Sequence, residues 1–102
     1  MDSVIVLFNL KEGADPAEYQ AWARSRDLVE VNRLPSVDNF RVLRCVGLLG
    51  GTDAPPYQYA EVIDLNSMEK FGEDIQSDTV GQLAAEFGRF AENPVFIHCQ
   101  DL

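Results

Sequence analysis

The first predicted strand of this chain is apolar on both of its faces, and this feature restricts the fold more than any other. Residues 3–9 read SVIVLFN, so apolar side chains occupy both alternating sets of strand positions. Because successive side chains of a strand point to opposite faces of a sheet, both faces next to this strand need to be covered. Helices of the same chain can cover one face, and the other face needs a second layer.

Signals for a helix follow directly after this strand. Asp15 is a favourable N-cap, Pro16 suits the first helical position, and Glu18 stands three residues after the cap, as in a capping box. Together they predict a helix over residues 16–32. Pro35 ends it, because the residue before a proline avoids helical geometry.

The rest of the chain alternates between strand and helix patterns. Strands are predicted over residues 39–49, 57–65 and 93–102, and a second helical region, capped by Asn66, is predicted to break near Ser77 or Asp78. The order β-α-β-β-α-β predicts an α+β, ferredoxin-like split βαβ fold, with a four-stranded antiparallel sheet in the order 4-1-3-2 and both helices on one face. We therefore expect one domain over residues 1–102, and a two-fold homodimer in which a second copy covers the free sheet face.

Charge and hydropathy exclude two classes of partner. With 8 basic and 17 acidic residues the net charge is −9, which repels the phosphate backbone of nucleic acids. No apolar run approaches the roughly 20 residues that a membrane-spanning helix needs. The amino terminus lacks the basic region of a secretory signal, so we expect no membrane association and a cytoplasmic location.

Neither a metal nor a nucleotide cofactor is indicated. One histidine without a nearby cluster of acids gives too few ligands for a metal site, and GLLGGTDAPP lacks the spacing of a dinucleotide-binding loop. Cys45 and Cys99 are predicted on opposite edges of the sheet, roughly 14 Å apart, whereas a disulfide needs Cα atoms within about 7 Å. We expect two free thiols and no cofactor.

The chain carries a family resemblance that covers nearly its whole length. Residues 1–47, MDSVIVLFNLKEGADPAEYQAWARSRDLVEVNRLPSVDNFRVLRCVG, resemble the RedY-like (HapK-like) family of the dimeric α/β-barrel superfamily, and WARSRDLVEVNRLPSV is the most specific part. Members of that family accompany gene clusters for prodiginine-type red pigments and related pyrrole or indole products. The resemblance implies antibiotic or pigment biosynthesis, a small aromatic intermediate as ligand, and other enzymes of the pathway as partners. It does not fix the reaction.

His98, the only histidine, is the natural acid/base candidate, because an imidazole titrates near neutral pH without perturbation. On the closing strand we expect the apolar, odd-numbered members of residues 95–99 to cover the helices. His98 then faces the barrel cavity, together with Phe96 and Gln100. A histidine held in the core by a hydrogen bond is the alternative.

The same alternation places Tyr59 and Glu61 on one face of the third strand, since Ala60 and Val62 are expected to face the helices. Both polar residues are thus predicted to line the cavity. Glu61 and His98 would lie on the order of 10 Å apart, with a ligand between them. The alternative for Glu61 is an edge carboxylate in water.

Four further residues are candidates for ligand contacts. Arg41 and Arg44 fall on opposite faces of the second strand, so at most one points inward, and the sequence does not choose between them. A solvated strand edge is the alternative for both. Trp22 belongs to a helical stripe that is more often core, and it is retained as a cavity wall. Phe8 completes the set.

Three functions follow as hypotheses. The leading one is a cofactor-free biosynthetic enzyme, in which His98 transfers protons during a condensation, cyclisation or dehydration while Tyr59 or Glu61 orients the substrate. The second is a cofactor-independent monooxygenase, a reaction known elsewhere in the superfamily that the resemblance names. The third is a non-catalytic carrier, which needs the apolar cavity but no titratable group.

Overall fold

A four-stranded antiparallel sheet carries the helices of this chain on one of its faces. The structure is a computed structural model that describes residues 1–102. Its strands are β1 (Asp2–Leu10), β2 (Val37–Arg44), β3 (Tyr59–Leu65) and β4 (Ala91–Gln100), in the order β2-β3-β1-β4. The predicted ferredoxin-like fold and strand order are confirmed.

The first helical region runs from Pro16 to Val31, close to its predicted bounds. It comprises α1 (Pro16–Trp22), a π-helical segment (Ala23–Asp27) and α2 (Leu28–Val31). The carboxylate of Asp15 caps its start by accepting a hydrogen bond from the Ala17 amide at 3.0 Å. The π-helical segment is the part that the apolar pattern does not predict.

The side chain of Asn32 fastens the end of this region to β2. Its amide nitrogen donates to the Phe40 carbonyl at 3.1 Å, and its amide oxygen accepts from the Phe40 backbone N–H at 2.9 Å. Two hydrogen bonds to one backbone residue fix both the distance and the orientation of the helix end relative to the edge strand.

The second helical region consists of α3 (Met68–Asp74) and α4 (Asp78–Phe90), with the predicted break between them. Ser67, and not Asn66, is the cap of α3, and its hydroxyl accepts from the Lys70 amide at 3.1 Å. Asn66 is otherwise engaged, because its side chain donates to the Pro35 carbonyl at 2.9 Å. Ser77 caps α4.

Several strand boundaries differ from the prediction, most of all the end of β2. β2 ends at Arg44, because the chain turns away through a glycine-rich loop in which Gly50 takes a φ of +75°. β4 spans residues 91–100, so it begins and ends two residues earlier than expected. Cys45 follows β2, Cys99 lies in β4, and both thiols are free. None of the helices is long and apolar enough to cross a bilayer.

The predicted choice of sheet face is wrong. The helices cover the face that carries Val6 and Phe8, which are fully buried. Residues paired across neighbouring strands share a face, and β1 pairs Val6 with Glu61 and Phe8 with Tyr59. Tyr59 and Glu61 therefore point toward the helices of their own chain, and not toward a chamber between two sheets.

The closing strand is reversed in the same way. Val6 pairs with Phe96 and Val4 with His98, so Phe96, His98 and Gln100 lie on the helix side of the sheet. Val95 and Ile97 are on the free face instead, where each is 40% exposed. Because β1 is apolar on both of its faces, the more apolar face of β4 does not reveal which face of the sheet the helices cover.

The buried face predicts a strong effect for truncation of Phe8. Phe8 is completely buried and its ring contacts those of Tyr19, Tyr59 and Phe87 at centroid distances of 4.9–5.5 Å. We expect Phe8→Ala to lower the free energy of unfolding by about 3–5 kcal/mol, measured by urea denaturation at fixed protein concentration. Leu49→Ala, in the fully exposed loop, is the control and is expected to change it by less than about 0.5 kcal/mol. Equal effects would contradict this core.

Candidate active site between the sheet and the helices

An apolar cavity with two acidic side chains lies between the sheet and the helices. Its volume is about 160 Å³, and apart from Asp27 and Glu61 its walls are apolar, with Phe71, Phe87 and Phe96 among them. We call it the carboxyl pocket. Buried acids without a cation beside them are rare, because removing a charge from water is costly.

Glu61 enters the pocket from β3, between Tyr59 and Ile63 on the buried face of that strand. Its side chain is 6% exposed, and its Oε2 atom is buried without any hydrogen-bond partner. Burial, and secondarily the nearby charge of Asp27, raises the pKa of Glu61 to about 8. At neutral pH this carboxyl is therefore largely protonated and can donate a proton.

Asp27 enters from the opposite wall, as the last residue of the π-helical segment. It is also 6% exposed. Burial, and secondarily the charge of Glu86, raises the pKa of Asp27 to about 7. Because the two acids line the same pocket, their protons come off in coupled steps, and at neutral pH the pair can both donate and accept a proton.

The π-helical segment sets the position of Asp27. The backbone N–H of Leu28 bonds to the carbonyl of Ala23, five residues earlier, so this turn holds one residue more than an α-helical turn. Single π turns of this kind occur frequently at functional sites. The signal for Asp27 was present in the sequence, because an acid at position 27 continues the buried stripe of Tyr19 and Ala23 at four-residue spacing.

A polar network braces the same segment against α4. Both carboxylate oxygens of Glu86 accept hydrogen bonds from Arg26, at 3.2 and 3.0 Å, and Oε1 also accepts one from the Trp22 indole N–H at 2.7 Å. These hydrogen bonds hold the pKa of the Glu86 carboxyl below its usual value. Because Arg26 is engaged by Glu86, it pairs with neither acid of the pocket.

Tyr59 and Phe8 belong to an aromatic cluster beside the pocket. The ring of Tyr19 lies 4.7 Å from Tyr59 and 5.5 Å from Phe8, and Trp22 lies 6.0 Å from Tyr19. The Tyr19 hydroxyl is buried without a partner, and burial together with the charges of Glu61 and Asp27 raises its pKa well above the usual value. The cluster gives the acids a rigid apolar surrounding.

His98 lies away from the carboxyl pocket. Its Nε2 atom is 2.9 Å from Oδ1 of Asp2, and its side chain is 46% exposed. The Gln100 amide donates to the same oxygen at 2.8 Å. These hydrogen bonds, with that of His98 first, hold the pKa of Asp2 below its usual value. The structure thus brings His98 to Gln100 and not to Glu61, and their functional roles stay predictions.

The remaining predicted contacts are divided among four places. Phe96 lines the carboxyl pocket and Trp22 packs in the aromatic cluster. Arg44, which pairs with Tyr59, lines a separate cleft on the helix side. Arg41 pairs with Val62 and lies on the free face. The two arginines therefore take opposite faces, as predicted, and Arg44 is the one on the helix side. No group of three His, Cys, Asp or Glu side chains is placed to hold a metal ion.

Comparison with protein families gives one match over nearly the whole chain. The family model described as REDY-like protein HapK matches residues 2–102. The crystal structure of HapK from Hahella chejuensis is 28% identical, with a TM-score of 0.80, and the match covers 100% of this chain and 93% of that one. No curated protein matches the sequence.

Two further solved structures share the fold at lower identity. A dimeric ferredoxin-like protein of unknown function from Thermobifida fusca is 18% identical, with a TM-score of 0.75 and coverage of 98% of this chain and 90% of that one. A variant of SnoaB, a cofactor-independent oxygenase from Streptomyces nogalater, is 13% identical, with a TM-score of 0.76 and coverage of 98% and 91%. At these identities the likeness shows the fold alone.

The raised pKa values of the two acids predict a particular pH dependence of stability. An acid whose pKa is higher in the folded state binds its proton more tightly there, so the free energy of unfolding falls as pH rises from the unfolded toward the folded pKa. For Glu61 this interval runs from the ordinary 4.5 to about 8. We expect Glu61→Gln to gain stability relative to the unmodified protein by on the order of 3 kcal/mol between pH 5.5 and 8.5.

Urea denaturation at pH 5.5, 7.0 and 8.5 measures this effect. Comparing each variant with the unmodified protein at the same pH cancels the contributions of other groups. Asp27→Asn is expected to change in the same direction, over the interval between 3.8 and about 7. Glu12→Gln, at an exposed position, is the control. A pH-independent difference for Glu61→Gln would contradict the buried, proton-holding carboxyl.

Proposed function

Because the chain belongs to the REDY-like HapK family, we propose that it acts in the biosynthesis of a prodiginine-type or related pyrrole or indole metabolite, binding a small aromatic intermediate in the carboxyl pocket and transferring protons to and from it. The observation that carries this proposal is the pair of buried acids, Asp27 and Glu61, in a pocket that is otherwise apolar and offers them no cation. Burying such a pair lowers the stability of the fold, and acids with raised pKa values are typical of acid/base sites.

The two acids divide the chemistry between them. Glu61, with the higher pKa of about 8, is the proton donor at neutral pH, and Asp27, with a pKa of about 7, is the acceptor. In a dehydration, Asp27 takes a proton from carbon while Glu61 protonates the hydroxyl that leaves as water, and a double bond forms. A cyclisation or condensation uses the same two transfers, with a carbon–carbon or carbon–nitrogen bond formed in place of the double bond.

The pocket also restricts the ligand. Its aromatic and aliphatic walls favour a flat apolar ring, and the phenylalanines at positions 71, 87 and 96 can contact ring faces or edges. The volume of about 160 Å³ lies below the roughly 300–1,000 Å³ of typical small-molecule sites. One or two rings therefore fit the pocket better than a complete tripyrrole.

Replacing the acids tests the reaction. We expect Glu61→Gln and Asp27→Asn each to reduce product formation about 100-fold or more, because a positioned acid or base typically contributes 10²–10⁴ in rate. The measurement is metabolite profiling of a producing strain in which each variant replaces the unmodified protein, with the soluble level of each variant determined in parallel. Glu12→Gln is the matched control.

Three outcomes would contradict this mechanism. Full product yield with both pocket variants would favour a non-catalytic carrier. Loss with His98→Ala but not with Glu61→Gln would return the acid/base role to the histidine. Oxygen uptake in step with conversion of an isolated intermediate would favour a cofactor-independent monooxygenase.

We further propose that a second copy of the chain covers the free face of the sheet. Ile5 and Leu7 of β1 lie there with Val95 and Ile97 of β4, and Leu43 of β2 is 40% exposed on the same face. A continuous apolar sheet face of this kind is rarely left in water. Two copies related by a two-fold axis bury the same residues on both sides.

Light scattering tests the dimer. We expect a mass of twice 11.4 kDa at low micromolar concentration. Ile97→Lys places a charge on this apolar face and is expected to give monomers, whereas Leu49→Lys, in the exposed loop, leaves the dimer intact. A folded monomer of the unmodified protein would contradict the arrangement.

A further inference from the structure

A second cavity, distinct from the carboxyl pocket, lies on the helix side of the sheet. It has a volume of about 280 Å³ and is lined by residues of α1, the π-helical segment, α2, β2 and β3. Its floor is formed by the buried residues Tyr19, Ala23 and Tyr59. It shares no lining residue with the carboxyl pocket. We call it the arginine cleft, after Arg24 and Arg44, which lie in its wall.

The charge of the arginine cleft is opposite to that of the chain. No acidic side chain lines it, although the chain carries 17 acidic residues and only 8 basic ones. Arg24 comes from the π-helical segment and Arg44 from the end of β2, so two separate elements bring the two guanidinium groups to one cavity. Neither makes an ion pair within the chain, whose four ion pairs involve other residues.

The floor of the cleft adds neutral donors. The Gln20 side-chain amide donates to the Tyr59 hydroxyl oxygen at 2.9 Å, which fixes that hydroxyl and leaves its own proton without an acceptor in the chain. Tyr59 can therefore donate a hydrogen bond to a ligand. Beside these polar groups, Leu28 and Val42 provide apolar walls.

We infer that the arginine cleft binds the carboxylate of a small aromatic acid. Two unpaired guanidinium groups match a carboxylate geometrically, because each presents a planar fork of donors. The aromatic floor accepts a ring stacked on tyrosine. A phosphate fits less well, since phosphate sites usually add free backbone amides from a helix N-terminus or a glycine-rich loop, whereas Ala23 and Arg24 lie inside a helix. This inference does not depend on proton transfer in the carboxyl pocket.

The test uses 2-naphthoate and its neutral isostere 2-naphthamide, titrated into the full-length protein by calorimetry. We expect 2-naphthoate to bind at least tenfold more tightly than the amide. A higher salt concentration is expected to weaken the binding of 2-naphthoate and to leave that of the amide unchanged. Arg24→Gln and Arg44→Gln are each expected to weaken 2-naphthoate binding roughly three- to tenfold, as is typical for a charge-assisted hydrogen bond at a partly exposed site.

Arg41→Gln is the matched control. Arg41 stands three positions before Arg44 on the same strand, is equally without an ion pair, and lies on the opposite sheet face. We expect it to leave binding unchanged, and circular dichroism to show the same fold for all three variants. Equal binding of acid and amide, or an effect of Arg41→Gln as large as that of Arg44→Gln, would overturn the inference. Tenfold tighter binding of 2-naphthyl phosphate would overturn the choice of a carboxylate.

Discussion

The pairing of β1 with strands on both of its sides is the interaction on which the rest of this structure depends. β1 is central, and its register against β3 and β4 places Val6 between Glu61 on one side and Phe96 on the other. Val6 is completely buried under the helices. Because the three residues share a face, the same register that builds the core also brings an acid and an aromatic ring to opposite sides of one apolar cavity.

The two acids of that cavity lower the stability of the folded chain as the pH rises above the ordinary pKa of a carboxyl group, and the surrounding structure offsets this cost. Glu86 draws Arg26 and the Trp22 indole into one network, which ties the π-helical segment to α4. The segment therefore stays in place although its last residue, Asp27, buries a carboxyl without a cation. Uncompensated buried polarity of this kind persists in proteins mostly where function needs it.

The carboxyl pocket and the arginine cleft are built on the same two elements. Tyr59 and Glu61 are successive residues on one face of β3, roughly 7 Å apart, and the first faces the cleft while the second faces the pocket. Ala23 and Asp27 repeat this arrangement along the helix, one turn apart. One side of the sheet thus presents a proton-holding site and a positively charged site next to each other, in a chain whose net charge is −9.

Local patterns in the sequence determined the elements and their order, because capping residues, proline and strand alternation act over a few neighbouring positions. Asp15 with Pro16 began the first helix where expected, and β-α-β-β-α-β order with strand order 4-1-3-2 followed from chain connectivity. The sequence also singled out Glu61 as a candidate site residue.

The sequence did not determine which face of the sheet meets the helices, because β1 is apolar on both faces and either choice satisfies its pattern. Only tertiary packing decided that Val6 and Phe8 go inside, and this turned Glu61 toward Asp27 and the helices. The π-helical segment escaped prediction for a related reason: one extra residue in a turn is stabilised by contacts with α4, about sixty positions away in the chain.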